Sequence, residues 1–298
     1  MVKDFLKKGG FEMAINYDEL ISRKVAGVPY AYGDRETMLY ALGVGMSRNP
    51  LDVQELRFTF EKDLKAIPTM AALFGVGGQL LQGLNHAMVV HGEQRLTLHR
   101  PLPWNAQLVV TSRVAAALDK GPEKGAVIYL ETTALLKSGA PLTTAVATIF
   151  ARGDGGFGGP AGPPPFEIHA VPDRKPDKTC ELVTREDQAL IYRLSGDRNP
   201  LHADPGFAVG AGFPRPILHG LCTYGFACRA ILRSICDYDP AKIAGFDARF
   251  SAPVFPGETL VTDMWVDGNI VSHRTRVKER DVVVVNNGRA VLKSASEI

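Results

Sequence analysis

The chain has 298 residues, 45% hydrophobic and 22% charged, with a formal net charge of +2 at pH 7. That length and balance fit a globular protein with room for two units of about 100–200 residues each. They exclude a broad nucleic-acid-binding surface, which needs a concentrated basic excess, and leave only a local basic cluster for a small anion.

Taken from the N-terminus, MVKDFLKKGGFEMAINYDEL carries Lys3, Asp4, Lys7 and Lys8 and lacks the apolar core of a signal peptide. RETMLYALGVGMSRNPL (35–51) reads as a helical segment entering an Asn-Pro turn. MAALFGVGGQLLQGLNHAMVV (70–90) is broken by Gln79, Gln82, Asn85 and His86, too polar and Gly-rich for a membrane span. A long apolar helix is expected there instead, softened over LFGVGGQLLQGLNH (73–86) by glycines that each cost about 1 kcal/mol relative to alanine. Strands are predicted at 94–100, 106–117, 126–137 and 142–151. ARGDGGFGGPAGPPPF (151–166) holds neither helix nor central strand and reads as a linker or surface excursion.

The same order then returns. REDQALIYRLSGDRNPL (185–201) leads into a second Asn-Pro turn, and HGLCTYGFACRAILRSI (219–235) is apolar nearly all round, the mark of a buried helix. Strands follow in ARFSAPV, TLVTDMWVD, IVSHRTRV, VVVVNN and RAVLK, with Gly268-Asn269 and Asn287-Gly288 as hairpin signals. Cys180, Cys222, Cys228 and Cys236 form no C-x-x-C pair and read as small buried residues in a reducing compartment. The two Arg-Asn-Pro-Leu copies lie 150 residues apart, and Pro101/Pro253 and Leu108/Leu260 repeat at an offset of 152. Two segments at nearly one offset indicate an internal duplication. The halves, 1–150 and 171–298 around a linker at 151–170, are predicted as α+β units, each a sheet around a helix and able to pair edge to edge.

Only the second turn carries an acid before it and a histidine after it: Asp197, Asn199 and His202, with Pro200 between. A turn can bring a carboxylate and an imidazole to one water molecule. Asp and Asn near a proline are also ordinary capping and turn residues, so spacing alone leaves a structural role open. Gly220 begins the second buried helix, where free amides and a partial positive charge could stabilise a developing oxyanion. Relief of crowding against the sheet explains the same glycine.

YRLSGDRNPLHADPGFA followed by GFPRPILHGLCTYGFACRAIL closely resembles the hydratase 2 motif of MaoC-like (R)-specific enoyl-CoA hydratases, and of the hydratase 2 unit of peroxisomal multifunctional enzyme type 2. LYALGVG, HGEQ, LDKG, GGFGG and ARFSAPVFPGETL extend the similarity over almost the whole chain. The resemblance implies two tandem hot-dog repeats and reversible hydration of trans-2-enoyl-CoA to (3R)-3-hydroxyacyl-CoA, without cofactor or metal. It implies Asp197 and His202 as the acid/base pair, with Asn199 beside them, and Gly220 as the amide donor to the thioester oxygen. His91, Gly92, Lys120 and Phe250 match acyl-CoA contacts, as does the segment with Arg198, Pro200 and Leu201, where Arg198 has no individual role. His219 is read as a structural neighbour of the helix start, and His86, His99, His169 and His273 as surface or packing residues.

In the first copy Asp52 stands where His202 stands, and a two-residue gap leaves Val44 or Met46 near the place of the acid. The first half is therefore expected to supply sheet, acyl-tail space and some CoA contacts, and the second half catalysis. The softened run at 73–86 fits that division by making room for a bulky tail. The resemblance also implies a homodimer, while the charge balance and the polar breaks in 70–90 argue against a nucleic-acid or membrane partner. SASEI is not a peroxisomal tripeptide, which leaves the cytoplasm as the default, with the peroxisome as the alternative. Within the same chemistry the competitors are a dehydratase acting on a carrier-bound thioester and a thioesterase. Outside it stands a non-catalytic acyl-CoA-binding protein.

Overall fold

The computed structural model describes residues 16–294. The readings made on residues 1–15 and on the last four residues of SASEI lie outside them. The first half runs α1 (Tyr17–Ser22), β1 (Lys24–Tyr32), α2 (Asp34–Gly43), α3 (Val53–Leu56), β2 (Val89–Leu98), β3 (Ala106–Asp119), β4 (Ala126–Leu136) and β5 (Pro141–Ala151). The second runs β6 (Lys178–Val183), α4 (Gln188–Tyr192), α5 (Pro205–Gly210), α6 (Gly220–Ser234), β7 (Ile243–Phe250), β8 (Thr259–Asp267), β9 (Ile270–Val277) and β10 (Val282–Leu292).

All ten strands form one sheet in the order β1-β3-β4-β5-β2-β7-β10-β9-β8-β6. Counting inward from each edge, both halves have the same order, and they meet antiparallel at β2 and β7 through Glu93–Arg249, Gln94–Ala248 and Thr97–Gly245. The join removes the edges that β2 and β7 would otherwise expose. Among the described residues, β1 and β6 remain as the edge strands. Both escape the sequence reading: β6 is short, and KVAGVPYAY carries Gly27 and Pro29. A proline is tolerated there because β1 pairs on one side alone, with β3.

Helix α6 is the core of the second half. Its residues from Cys222 to Leu232 are all buried. The Tyr224 hydroxyl donates to the Phe246 carbonyl at 2.5 Å, tying the helix to β7. The end of α2 packs on its other side, where Gln188 donates to the Leu42 and Gly43 carbonyls at 3.0 and 2.6 Å. The first half differs from expectation. Where the softened helix was predicted, the chain makes 3-10 turns at Pro68–Leu73 and Gly77–Leu81. Pro68 opens the segment, and Gly75, Gly77 and Gly78 remove helix preference within four residues, so only short tight turns survive. Asn287-Gly288 is also not a hairpin: β10 runs through it with a bulge, Asn287 at φ 53°. A side chain at 288 would strike the His273 ring at 2.3 Å.

A buried ion pair joins the halves. Arg229 of α6 and Glu55 of α3 are 5% and 2% exposed. Arg229 Nε and Nη2 donate to Glu55 Oε1 at 3.0 and 2.8 Å, and Nη2 also to Oε2 at 2.9 Å. The Ser47 amide and the Tyr238 hydroxyl supply further donors to the carboxylate at 2.8 and 3.3 Å.

The stretch after β5 has neither helix nor strand, as its Gly and Pro content predicts, and it crosses the sheet face opposite α6. Phe166 packs on Tyr129 of β4 and under Arg95 of β2. His169 bonds Ser272 of β9 at 2.8 Å, and Trp265 of β8 donates to the Arg174 carbonyl at 2.7 Å. All four cysteines are buried and unbonded. Among the described residues, no helix is long and apolar enough to cross a membrane.

Candidate active site

The second Asn-Pro turn is built by its own side chains. Gly196 takes φ 132°, a conformation open to glycine, and reverses the chain. Asp197 Oδ1 then accepts from the Asn199 amide at 3.0 Å, and Asn199 Oδ1 from the Leu201 amide at 3.0 Å. Pro200 fixes the first residue of the 3-10 turn Pro200–His202 without wasting an amide. The same turn is kept in the first copy. Leu51 donates to Asn49 Oδ1 and the Asp52 amide to the Asn49 carbonyl, both at 3.1 Å. There Asp52 caps α3 through the amides of Gln54 and Glu55, while Val44 and Met46 are buried in the core.

Residues 217–219, leading into α6, grip this second turn. The Ile217 amide donates to the Leu201 carbonyl at 3.4 Å, and the Ile217 carbonyl meets His202 Nδ1 at 2.8 Å. His219 Nε2 meets the Asp197 carbonyl at 3.1 Å. A carbonyl only accepts, so each of these ring nitrogens carries the proton. His202 Nε2 is therefore left with a lone pair, as a base requires. The two rings stack, centroids 3.7 Å apart and planes at 28°.

Burial lowers the His202 pKa, opposed by the bond to Ile217 and by the Asp197 charge. Burial and then neighbouring His202 push His219 down to about 4. Both are neutral imidazoles at pH 7. Asp197 itself is exposed, so the group has one face towards solvent.

Asp197, His202 and His219 place one ligand-type atom each within 4.8 Å of one another. A metal lies in the plane of each imidazole that binds it, and two stacked rings do not converge on one point as a tetrahedral centre requires. The arrangement suits proton handling at a shared water. His219 follows no motif of its own. Its position immediately before Gly220 is the one signal in the sequence.

Gly220 is the first residue of the 15-residue α6, and the His219 side chain makes no capping bond to it. The helix therefore presents amide donors and the positive end of its dipole beside His219. The Phe250 ring lies 3.6 Å from where a Gly220 Cβ would stand. Phe250 also meets His91 edge-on at 5.2 Å, so a first-half residue reaches the second-half site. His91 bonds the Glu93 carbonyl at 3.0 Å, and burial pushes its pKa to about 4, against the pull of charges that include Asp197. Gly92 sits at the β2 bulge, where a Cβ would come within 2.2 Å of the Phe150 ring.

Lys120, expected at the acyl-CoA, reaches the connecting stretch. Its ammonium donates to the Ala161 and Gly162 carbonyls at 2.9 and 3.0 Å, clasping the connecting stretch. Neighbouring Asp119 does the same from the other side, accepting from the amides of Gly121, Gly156 and Gly158, each at 2.8 Å. Arg198 is exposed, and its carbonyl accepts from Arg193 at 3.1 Å.

Residues 167–287 match the MaoC like domain, and residues 30–153 the MFE-2 hydratase 2 N-terminal domain. The chain is 40% identical over 291 residues to a protein of Arabidopsis thaliana named enoyl-CoA hydratase 2, peroxisomal, covering 91% of this chain and 93% of that one. It is 45% identical over 246 residues to 3-hydroxyacyl-thioester dehydratase Y of Mycobacterium tuberculosis, covering 79% and 82%. Among solved structures, full-length peroxisomal multifunctional enzyme type 2 from Drosophila melanogaster superposes with a TM-score of 0.80 at 38% identity. That match covers 91% of this chain, which spans about half (48%) of the fly protein.

Proposed function

The chain belongs to the MaoC-like and multifunctional-enzyme hydratase 2 family, and from that premise we propose that it is a hydro-lyase of fatty-acid β-oxidation, hydrating trans-2-enoyl-CoA reversibly to (3R)-3-hydroxyacyl-CoA. The observation that supports this reading is the cluster of Asp197, His202 and His219, whose ligand-type atoms lie within 4.8 Å of one another, with His219 immediately before the uncapped first residue of α6.

In this reading the thioester oxygen lies at the Gly220 amide. Such a donor, effective as charge builds in the enolate-like transition state, is worth roughly 2.7–4 kcal/mol. Asp197 and His202 hold one water. Its hydroxyl adds to C3, its released proton passes to the pair, and a proton from the pair goes to C2. Positioned acid/base groups supply about 10²–10⁴-fold. Asn199 stiffens the turn, and His91, Gly92, Phe250, Pro200 and Leu201 border the acyl-CoA.

The repeat at 1–150 gives sheet and acyl-tail space, and the repeat at 171–298 gives catalysis. The 3-10 turns in place of a first-half helix support that division, since they make the layer beside the sheet unlike in the two repeats.

The test is hydration of crotonyl-, decenoyl- and hexadecenoyl-CoA with the configuration of the 3-hydroxy product determined. An (R) product supports the reading, and no hydration of any of the three overturns it. The 45% identity to a 3-hydroxyacyl-thioester dehydratase favours a second reading, dehydration of a carrier-bound thioester by the same residues. Comparison of CoA-bound and carrier-bound enoyl thioesters separates the two. We further propose a homodimer, checked by light scattering. The cytoplasm is the proposed compartment, with the peroxisome, which the Arabidopsis relative's name carries, as the alternative, decided by imaging the tagged full chain.

A further inference from the structure

We propose that His219 is a positioning residue that sets the geometry of both Asp197 and His202 while taking no proton itself. The chemical part of this rests on the hydratase reading above, and the geometric part stands without it.

Three observations carry the inference. First, the His219 side chain turns away from the helix it precedes. It makes no cap to α6, and reaches back 22 residues to the Asp197 carbonyl at 3.1 Å. A backbone carbonyl at that point fixes where the Asp197 side chain begins. Second, its ring lies against His202 at 3.7 Å and 28°, so the face of the base is set by the same ring. Third, His219 is 1% exposed, and its ring also meets that of Tyr192, tilted by 52° at 4.9 Å and likewise 1% exposed. A buried ring in contact with two others has no freedom to swing. One side chain thus fixes the acid's backbone and the base's plane.

Proton work falls to other atoms. Nε2–H is committed to a carbonyl, and Nδ1 is buried with no partner among the described residues. The groups facing the ring include Asp197, His202, Arg193 and Tyr192. Burial and the neighbouring base hold the ring neutral, so it adds no charge that would compete for the proton His202 must take. A misplacement of about 1 Å in a reacting group can lower a rate about 10²-fold.

The experiment compares His219→Gln, which can still donate from the position of Nε2, with His219→Phe, which keeps the stacked ring and loses the donor. In enoyl-CoA hydration, H219Q, which keeps the donor and loses only the stacked ring, is expected to lose no more than about fivefold in kcat. H219F is expected to lose about 10–100-fold in kcat with KM within about threefold. Amide hydrogen exchange is read in parallel, because it does not depend on the reaction. At Asn199, Leu201 and His202, exchange should be faster in H219F by about tenfold and unchanged in H219Q.

Wild-type kcat in H219F, or equal losses in both variants, overturns the proposal. So does an unchanged exchange rate in H219F. If H219F does not fold, His219→Asn replaces it, since its shorter amide does not reach the carbonyl, and the same losses are required. If the wild-type protein hydrates no enoyl-CoA, the functional reading fails, and the exchange comparison still decides the positioning role.

Discussion

Removing the Arg229 guanidinium should reveal how the two halves hold each other. Arg229→Met keeps most of the side-chain volume and leaves Glu55 as a buried carboxylate, 2% exposed, that has lost three hydrogen bonds at 2.8–3.0 Å. Only the Ser47 amide and the Tyr238 hydroxyl still face it. Breaking one side of such a pair costs about 3–5 kcal/mol, most of it the stranded charge rather than the worth of the pair. With an unfolding entropy of about 2.1 cal/mol/K per residue, a chain of this size has about 0.6 kcal/mol/K in all. The Tm should therefore fall by about 5–8 °C.

Glu55→Gln should cost a similar amount, because it strands the cation instead. The double variant should cost clearly less than the sum, since neither charge is then left alone. Differential scanning calorimetry of the three proteins gives the answer. A loss below about 1 kcal/mol in R229M, or strictly additive losses, would show that the two groups do not depend on each other and refute the reasoning.

Asp52→Ala should leave turnover within about threefold while removing an N-cap worth about 1 kcal/mol, whereas Asp197→Ala should lower kcat by about 10²–10⁴-fold. Equal kinetic losses in the two would contradict the division between the repeats. Lys120→Ala should speed proteolytic cutting within 153–166 and change KM for acyl-CoA less than twofold. A large KM rise without faster cutting would favour the phosphate contact that the resemblance implies. The third expectation concerns pH. His91 and His219 are held near 4 by burial, below the usual value of about 6.5. Below pH 6.5 the unfolded chain takes protons that the folded one refuses, so stability is full above 6.5 and falls towards 4. Each group contributes at most about 1.4 kcal/mol per pH unit in that window. Urea midpoints at pH 7, 6 and 5 should fall in that order, and a flat series would disprove it.

The duplication was legible because the Asn-Pro turn survives in both copies, down to the same Asn–Leu side-chain bond. The buried α6 was legible because nothing polar interrupts its apolar run for long. The first-half helix was misread because apolar content and helix preference separate when glycines are frequent, as at Gly75, Gly77 and Gly78. Asn287-Gly288 has the local chemistry of a hairpin, and pairing with β7 and β9 on either side overrode it, so the positive φ of Asn287 is taken up in a bulge rather than a reversal. At the site, Asp197 and His202 are close in sequence and could be paired on paper. His91 and Phe250 could be placed only by the family resemblance. His219 lies 22 residues from the carbonyl it holds, and Glu55 lies 174 residues from Arg229, so no local pattern announces either contact.

The stretch between β5 and β6 has one more consequence. It must travel from the fourth strand to the last, six strand spacings or about 29 Å. Its 26 residues, 152–177, are far more than that distance needs. The surplus lies folded across the sheet. A tether of this kind turns what would be a symmetric pair of identical subunits into one molecule whose two members are inherited side by side. A change in one member no longer appears in the other. Under that arrangement one turn can end in a helix cap, Asp52, while its counterpart ends in a buried histidine, His202.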